Sequence, residues 1–130
     1  MACIGLAAWS TGCGGGDSES LIGADSLRDC LAKQGATFAG QKPSATGFAP
    51  LFHLAADLQG RVAGSSIDVF IEKTPAGARR DAADARGALG AIGIPNPSGS
   101  VVVSRNAMVV FEPPPSARAR TAVHSCLASA

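Results

Sequence analysis

The chain has no tyrosine, one tryptophan and five phenylalanines in 130 residues, so a core built from it must be aliphatic. Charge is also scarce. Only 16% of residues are charged and the formal net charge is +1, which sets up no long-range field toward nucleic acid or an acidic partner. No run approaches the ~20 consecutive apolar residues that a membrane-spanning helix needs. The short motifs of common chemistries are missing as well. There is no CxxC or HExxH to seat a metal and no GxSxG to present a nucleophilic serine. Lys42-Pro43-Ser44 lacks the glycine frame of a phosphate-binding loop, and Gly87, Gly90 and Gly93 end a helix where dinucleotide binding needs them to open one. Asn96-Pro97-Ser98 fails as a glycosylation acceptor because its middle residue is proline.

A Cys2His2 metal set from Cys30, Cys126, His53 and His124 is the sharpest chemistry the inventory permits. Its spacing argues against it: two positions apart on one helix, His124 and Cys126 point about 200° away from each other. No catalytic residue, metal ligand or cofactor is therefore expected.

What is present describes one domain. Hydrophobic residues make up 46% of the chain, enough for a modest core in which an added covalent link would matter. The centre of that core is the stretch from Ser100 to Pro115. Val101–Val103 and Met108–Phe111 are two β-prone runs separated by Ser104-Arg105-Asn106-Ala107, and asparagine tolerates the left-handed backbone of a tight hairpin turn. Pro113–Pro115 cannot extend a ladder and end the second strand.

Around this hairpin the periodicities assign the remaining elements. Asp25 or Ser26 caps a helix that buries Leu27, Cys30 and Leu31 and stops at Gly35; Ala36–Ala39 is a short strand. Leu51, Leu54, Ala55 and Leu58 recur at helical spacing after Pro50 and predict a second helix to about Gln59, followed by a connector over Gly60–Ser66. Ile67, Val69 and Ile71 alternate with Asp68, Phe70 and Glu72, as in a strand with one buried face. Thr74-Pro75 opens a helix with the narrow stripe Ala78, Ala82, Ala85 and Leu89, and Ser116 caps a last helix burying Ala119, Ala122, Val123, Cys126 and Leu127. The expected fold is α+β: a two-layer α/β sandwich whose three- to four-stranded, mainly antiparallel sheet carries its helices on one face. Its element order resembles a ferredoxin-like sandwich with the final strand moved to the N-terminus.

The first twenty residues, MACIGLAAWSTGCGGGDSES, run from an apolar stretch through small residues to a cysteine and then a glycine-rich, acidic tether. This resembles the end of a bacterial lipoprotein signal peptide, with Ser10-Thr11-Gly12-Cys13 as lipobox. The resemblance implies that Cys13 is acylated and becomes the N-terminus. Residues 1–12 are then a leader, 13–22 a flexible tether and 23–130 the domain. In an oxidising compartment Cys30 and Cys126, both on apolar helix faces, are expected to form a structural disulfide. The function expected is that of an exported, lipid-anchored envelope protein with a non-catalytic domain contacting an unknown protein or small molecule, not nucleic acid; a secreted form is the alternative location. A small enzyme or redox protein using Cys30 and Cys126 as a reactive thiol pair is the alternative class. A third reading, a ligand site on an open sheet face, needs Phe70 and Val102 to share an exposed apolar patch. Some of Arg79, Arg80, Arg86, Arg118 and Arg120 would share one basic face, interrupted by Asp81 and Asp84, if the two later helices lay side by side; the plainer reading is separately solvated arginines.

Overall fold

A computed structural model of the chain describes residues 20–39, 54–112 and 115–130. Cys13, His53 and the leader lie outside these residues. The described elements are α1 (Ala24–Lys33), β1 (Thr37–Phe38), β2 (Leu54–Val62), β3 (Ser65–Glu72), α2 (Pro75–Ala91), α3 (Pro97–Ser100), β4 (Val101–Ser104), β5 (Ala107–Glu112) and α4 (Ala117–Ser129). The strands form one sheet in the order β1-β2-β3-β5-β4, every neighbouring pair antiparallel. The fold class is α+β, with an open antiparallel sheet and helices packed against it.

The sheet has five strands because the segment from Leu54 is not the expected helix. Leu54 and Leu58 are four apart, a spacing that satisfies both periods. Ala56, Leu58 and Val62 also alternate with Asp57, Gln59 and Arg61, and pairing with β3 from Leu54↔Glu72 to Val62↔Ser65 decides in favour of the strand. The expected connector is correspondingly short. Ala63 and Gly64 turn the chain with φ of 47° and 82°, the backbone of a tight two-residue hairpin.

The pleat sorts the core into two apolar clusters. Ile67, Val69, Ile71, Val109 and Phe111 pack with Leu27 and Leu31 of α1 and with Val123, Cys126 and Leu127 of α4. On the opposite face Phe70, Met108, Val110 and Val101 pack with Ala82, Ala85 and Leu89 of α2. Helices therefore occupy both faces, where the alternation in β3 suggested one. Caps are mostly those expected: Thr74 Oγ1 accepts from Gly77 N–H at 3.0 Å and Ser116 Oγ from Ala119 N–H at 3.1 Å. For α1 the N-cap is Gly23, not Asp25 or Ser26, and Asp25 sits in the first helical turn. The helix ends at Gly35 as expected, with φ of 91° and the Gly35 and Ala36 amides bonded back to Ala32 and Leu31.

The β4–β5 turn works differently from its expected form. Arg105, not Asn106, takes the positive φ, 51°. Asn106 is buried and uses its side-chain amide as a surrogate peptide group: Oδ1 accepts from Ile22 N–H at 2.6 Å, and Nδ2 donates to Ile22 O at 3.1 Å and Glu72 O at 3.0 Å. Arg105 reaches the other way. Its Nη2 donates to the carbonyls of Leu127 and Ala130 at 2.7 and 2.6 Å, closing the C-terminal end of α4, while Nη1 holds Ser20 at 3.1 Å.

Cys30 of α1 and Cys126 of α4 are joined by a disulfide, with an S–S distance of 2.03 Å and a Cα–Cα distance of 5.6 Å. Neighbouring Leu31 and Leu127 are buried, so the bond staples the two helices on the sheet face they share. The sequence separation is 96 residues, and chain-entropy reasoning gives a stabilisation of at most about 4.7 kcal/mol. Reduction should lower the melting temperature by more than about 10 °C while the far-ultraviolet circular dichroism at 20 °C is retained. An unchanged melting temperature after verified reduction would show that the bond does not carry this load.

Candidate functional site

Three features of the surface and interior have the composition of a site. The first follows from α2 lying on the second sheet face. Glu72, expected to be solvated on the outer face of its strand, is 2% exposed, and Asp81, expected to interrupt a surface basic patch, is 4% exposed. The two carboxyl groups meet beneath the first turns of α2. A Cβ placed on Gly77 would stand 3.1 Å from Glu72 Oε1 and 3.1 Å from Thr74 Oγ1, so glycine leaves the room that the Glu72 side chain occupies. Burial pushes the Glu72 carboxyl up to about 8, helped by its hydrogen bond to Asp81 and the Asp81 charge and opposed by Arg80. Glu72 thus holds its proton at neutral pH and donates it to Asp81. Glu72 Oε2 and Asp81 Oδ2 have no hydrogen-bond partner among the described residues.

The second feature is a groove of about 490 Å³ on the part of that face that α2 leaves open, lined by Phe38, Gln59, Arg61, Ser66, Asp68 and Glu112 among others. Of its two acids, Glu112 is exposed and Asp68 is half-buried. Burial raises Asp68, the Gln59 hydrogen bond opposes this, and Glu112 adds to the rise. Neighbouring Asp57 is pushed up to about 6 by burial and by the Asp68 charge, and neither of its carboxylate oxygens has a hydrogen-bond partner among the described residues.

The third feature is a groove of about 280 Å³ beside β4, lined by Arg86, Ser98, Gly99, Val101–Val103, Arg120 and His124. The condition for a shared arginine surface, two later helices side by side, is not met. Because α2 and α4 are on opposite sheet faces, Arg79 and Arg80 face solvent elsewhere and Arg118 lines a separate hollow with Gln34 and Thr121. Arg86 and Arg120 line one groove at the sheet edge instead.

The other residues singled out in the sequence do not converge. Phe70 is fully buried under α2, and Val102 points to the opposite face, so they form no shared exposed patch. Cys126 is fully buried and bonded to Cys30, and His124 is exposed on the far side of the same helix. Among the described residues no group of three or more His, Cys, Asp or Glu side chains could hold a metal ion, and no helix is long and apolar enough to cross a membrane. Glu72 and Asp81 line none of these three hollows, whereas Asp68, raised like its neighbour Asp57, lines the larger groove.

Fold and site together define a disulfide-stapled α+β domain with surface grooves and a sealed carboxyl pair. No family model matches the chain, and neither curated proteins nor solved structures include a match.

The carboxyl pair fixes a sign for the pH dependence of stability. The folded value for Glu72, about 8, lies above the ordinary 4.5, so the folded state binds the extra proton between them. Its contribution to stability is complete below the ordinary value and is lost as pH rises through about 8. Urea unfolding should therefore give a midpoint that falls from pH 6 to pH 9. In Glu72→Gln, which keeps a donor for Asp81 but cannot ionise, that fall should be much smaller. An equal slope in both proteins would contradict the assignment.

Proposed function

We propose that this chain is an exported protein held to a membrane through a lipid on Cys13, whose domain binds a partner without catalysing a reaction. The observation that carries the reading is the Cys30–Cys126 disulfide, since a structural bond of this kind persists in oxidising compartments. The lipobox-like Ser10-Thr11-Gly12-Cys13 and the glycine-rich tether after it supply the anchor and its reach. Two acyl chains, each adding about 0.8 kcal/mol of membrane affinity per buried CH₂, anchor such a protein stably.

The reactive-thiol alternative has less in its favour. Cys126 has no exposed surface, so a thiolate attacking the bond is confined to the half-buried Cys30 sulfur. Intact-mass analysis of the membrane fraction of the native host should show loss of residues 1–12 and a lipid-sized increment on Cys13. A full-length chain in the soluble fraction would overturn the anchored reading.

A further inference from the structure

The outer edge of β4 combines an unpaired strand with a concentration of positive charge. Among the described residues β4 pairs only with β5, in the register Val101↔Val110, Val102↔Val109, Val103↔Met108 and Ser104↔Ala107. Two residues connect these strands, so Ser104 and Ala107 are the hydrogen-bonded pair that closes the turn, and bonding alternates from there. Val102 bonds inward to Val109. Val101 and Val103 turn their N–H and C=O groups outward. The Arg86 guanidinium agrees with this phase, since its Nη2 donates to Val101 O at 3.2 Å from outside the ladder. That leaves the Val101 N–H and both backbone groups of Val103 facing the groove.

The groove's walls come from both sides of the sheet. Arg86 stands on α2 over one face, and Arg120 and His124 stand on α4 over the other. No aspartate or glutamate lines the hollow. None of these three side chains has a carboxylate partner among the described residues, and Arg86 Nε is buried with no hydrogen-bond partner. Val102 and Val103 are half-buried, one on each face, and offer apolar contact to a neighbouring strand.

We propose that this edge takes an acidic peptide in extended conformation, which adds to β4 as a sixth strand. Backbone hydrogen bonds to Val101 and Val103 would hold the peptide in register, and glutamate or aspartate side chains at successive positions would reach Arg86 on one face and Arg120 and His124 on the other. Charge also argues against a second copy as the occupant. Pairing β4 with β4 of another molecule would bring Arg86 and Arg120 from both copies together across the two-fold axis. The proposal rests on the reading of the domain as a binding module. It is independent of the lipid anchor, so either can fail without the other.

The test is a titration of the ¹⁵N-labelled full chain with the synthetic peptide Val-Glu-Glu-Val-Glu-Glu-Val, followed by amide shifts and hydrogen exchange. The expected result is shifted, exchange-slowed amides at Val101 and Val103 and an affinity that falls with added salt. Arg120→Glu, an exposed position, should weaken binding by about tenfold. Val103→Pro removes an outward N–H without touching a β4–β5 bond, and should abolish binding while circular dichroism shows a folded domain. No response at millimolar peptide would overturn the proposal. So would equal binding of Val-Lys-Lys-Val-Lys-Lys-Val, or dimerisation through β4 in the absence of peptide. Shifts confined to Arg86, Arg120 and His124, with none at Val101 and Val103, would mean an anion site without strand addition and would overturn it too.

Discussion

Asn106 occupies the point where three distant parts of the chain must be closed against one another. Its side chain meets the N–H and C=O of Ile22 and the C=O of Glu72, and its own carbonyl accepts from Glu72 N–H at 2.7 Å. These bonds are buried, where an unmade partner costs about 1–3 kcal/mol. With Arg105 beside it closing the end of α4, a two-residue turn fixes the entry to α1, the end of β3 and the C-terminus together. The disulfide ties α1 to α4 at a second point, so the terminal helices cannot leave the sheet separately.

A consequence of this closure is that β3 has no truly solvated face over its last residues. Phe70 and Glu72 lie under α2, and Glu72 is kept neutral by burial and by Asp81. A neutral carboxyl group in that place can donate a hydrogen bond to its neighbour, which a charged one could not do. The same covering by α2 stops short of β1 and the far end of β2, and the groove around Asp68 and Glu112 is what remains open.

Much of the fold was legible in the residues because local chemistry and tertiary packing agreed. The β4–β5 hairpin, the buried stripe of α2, the Ser116 and Thr74 caps and the inward face of α4 all follow from patterns that packing left unchanged. Cys30 and Cys126 were recognisable as a pair because each sat among leucines on a helix face. What was not legible depended on long-range pairing. The segment from Leu54 fits two periods, and only β3 as a partner selects one. Asp81 and Glu72 look like solvated residues until α2 is placed over the second sheet face. Asn106 carried a turn signal, yet its service to Ile22, 84 residues away in sequence, has no local signature. Arg86 and Arg120 gave a charge signal, but their lining of one groove at the β4 edge depends on helices lying on opposite faces.

Native-state hydrogen exchange at Ile22 tests the closing role of Asn106 most directly. Residues that lead into the first helix of a domain ordinarily exchange by local fraying, with little free energy of opening. If the Asn106 side chain holds the entry segment as part of the core, the Ile22 amide will open with nearly the same free energy as the Val109 amide at the centre of the sheet, and both will report global unfolding. An Ile22 amide that exchanges within seconds while Val109 stays protected would contradict that account.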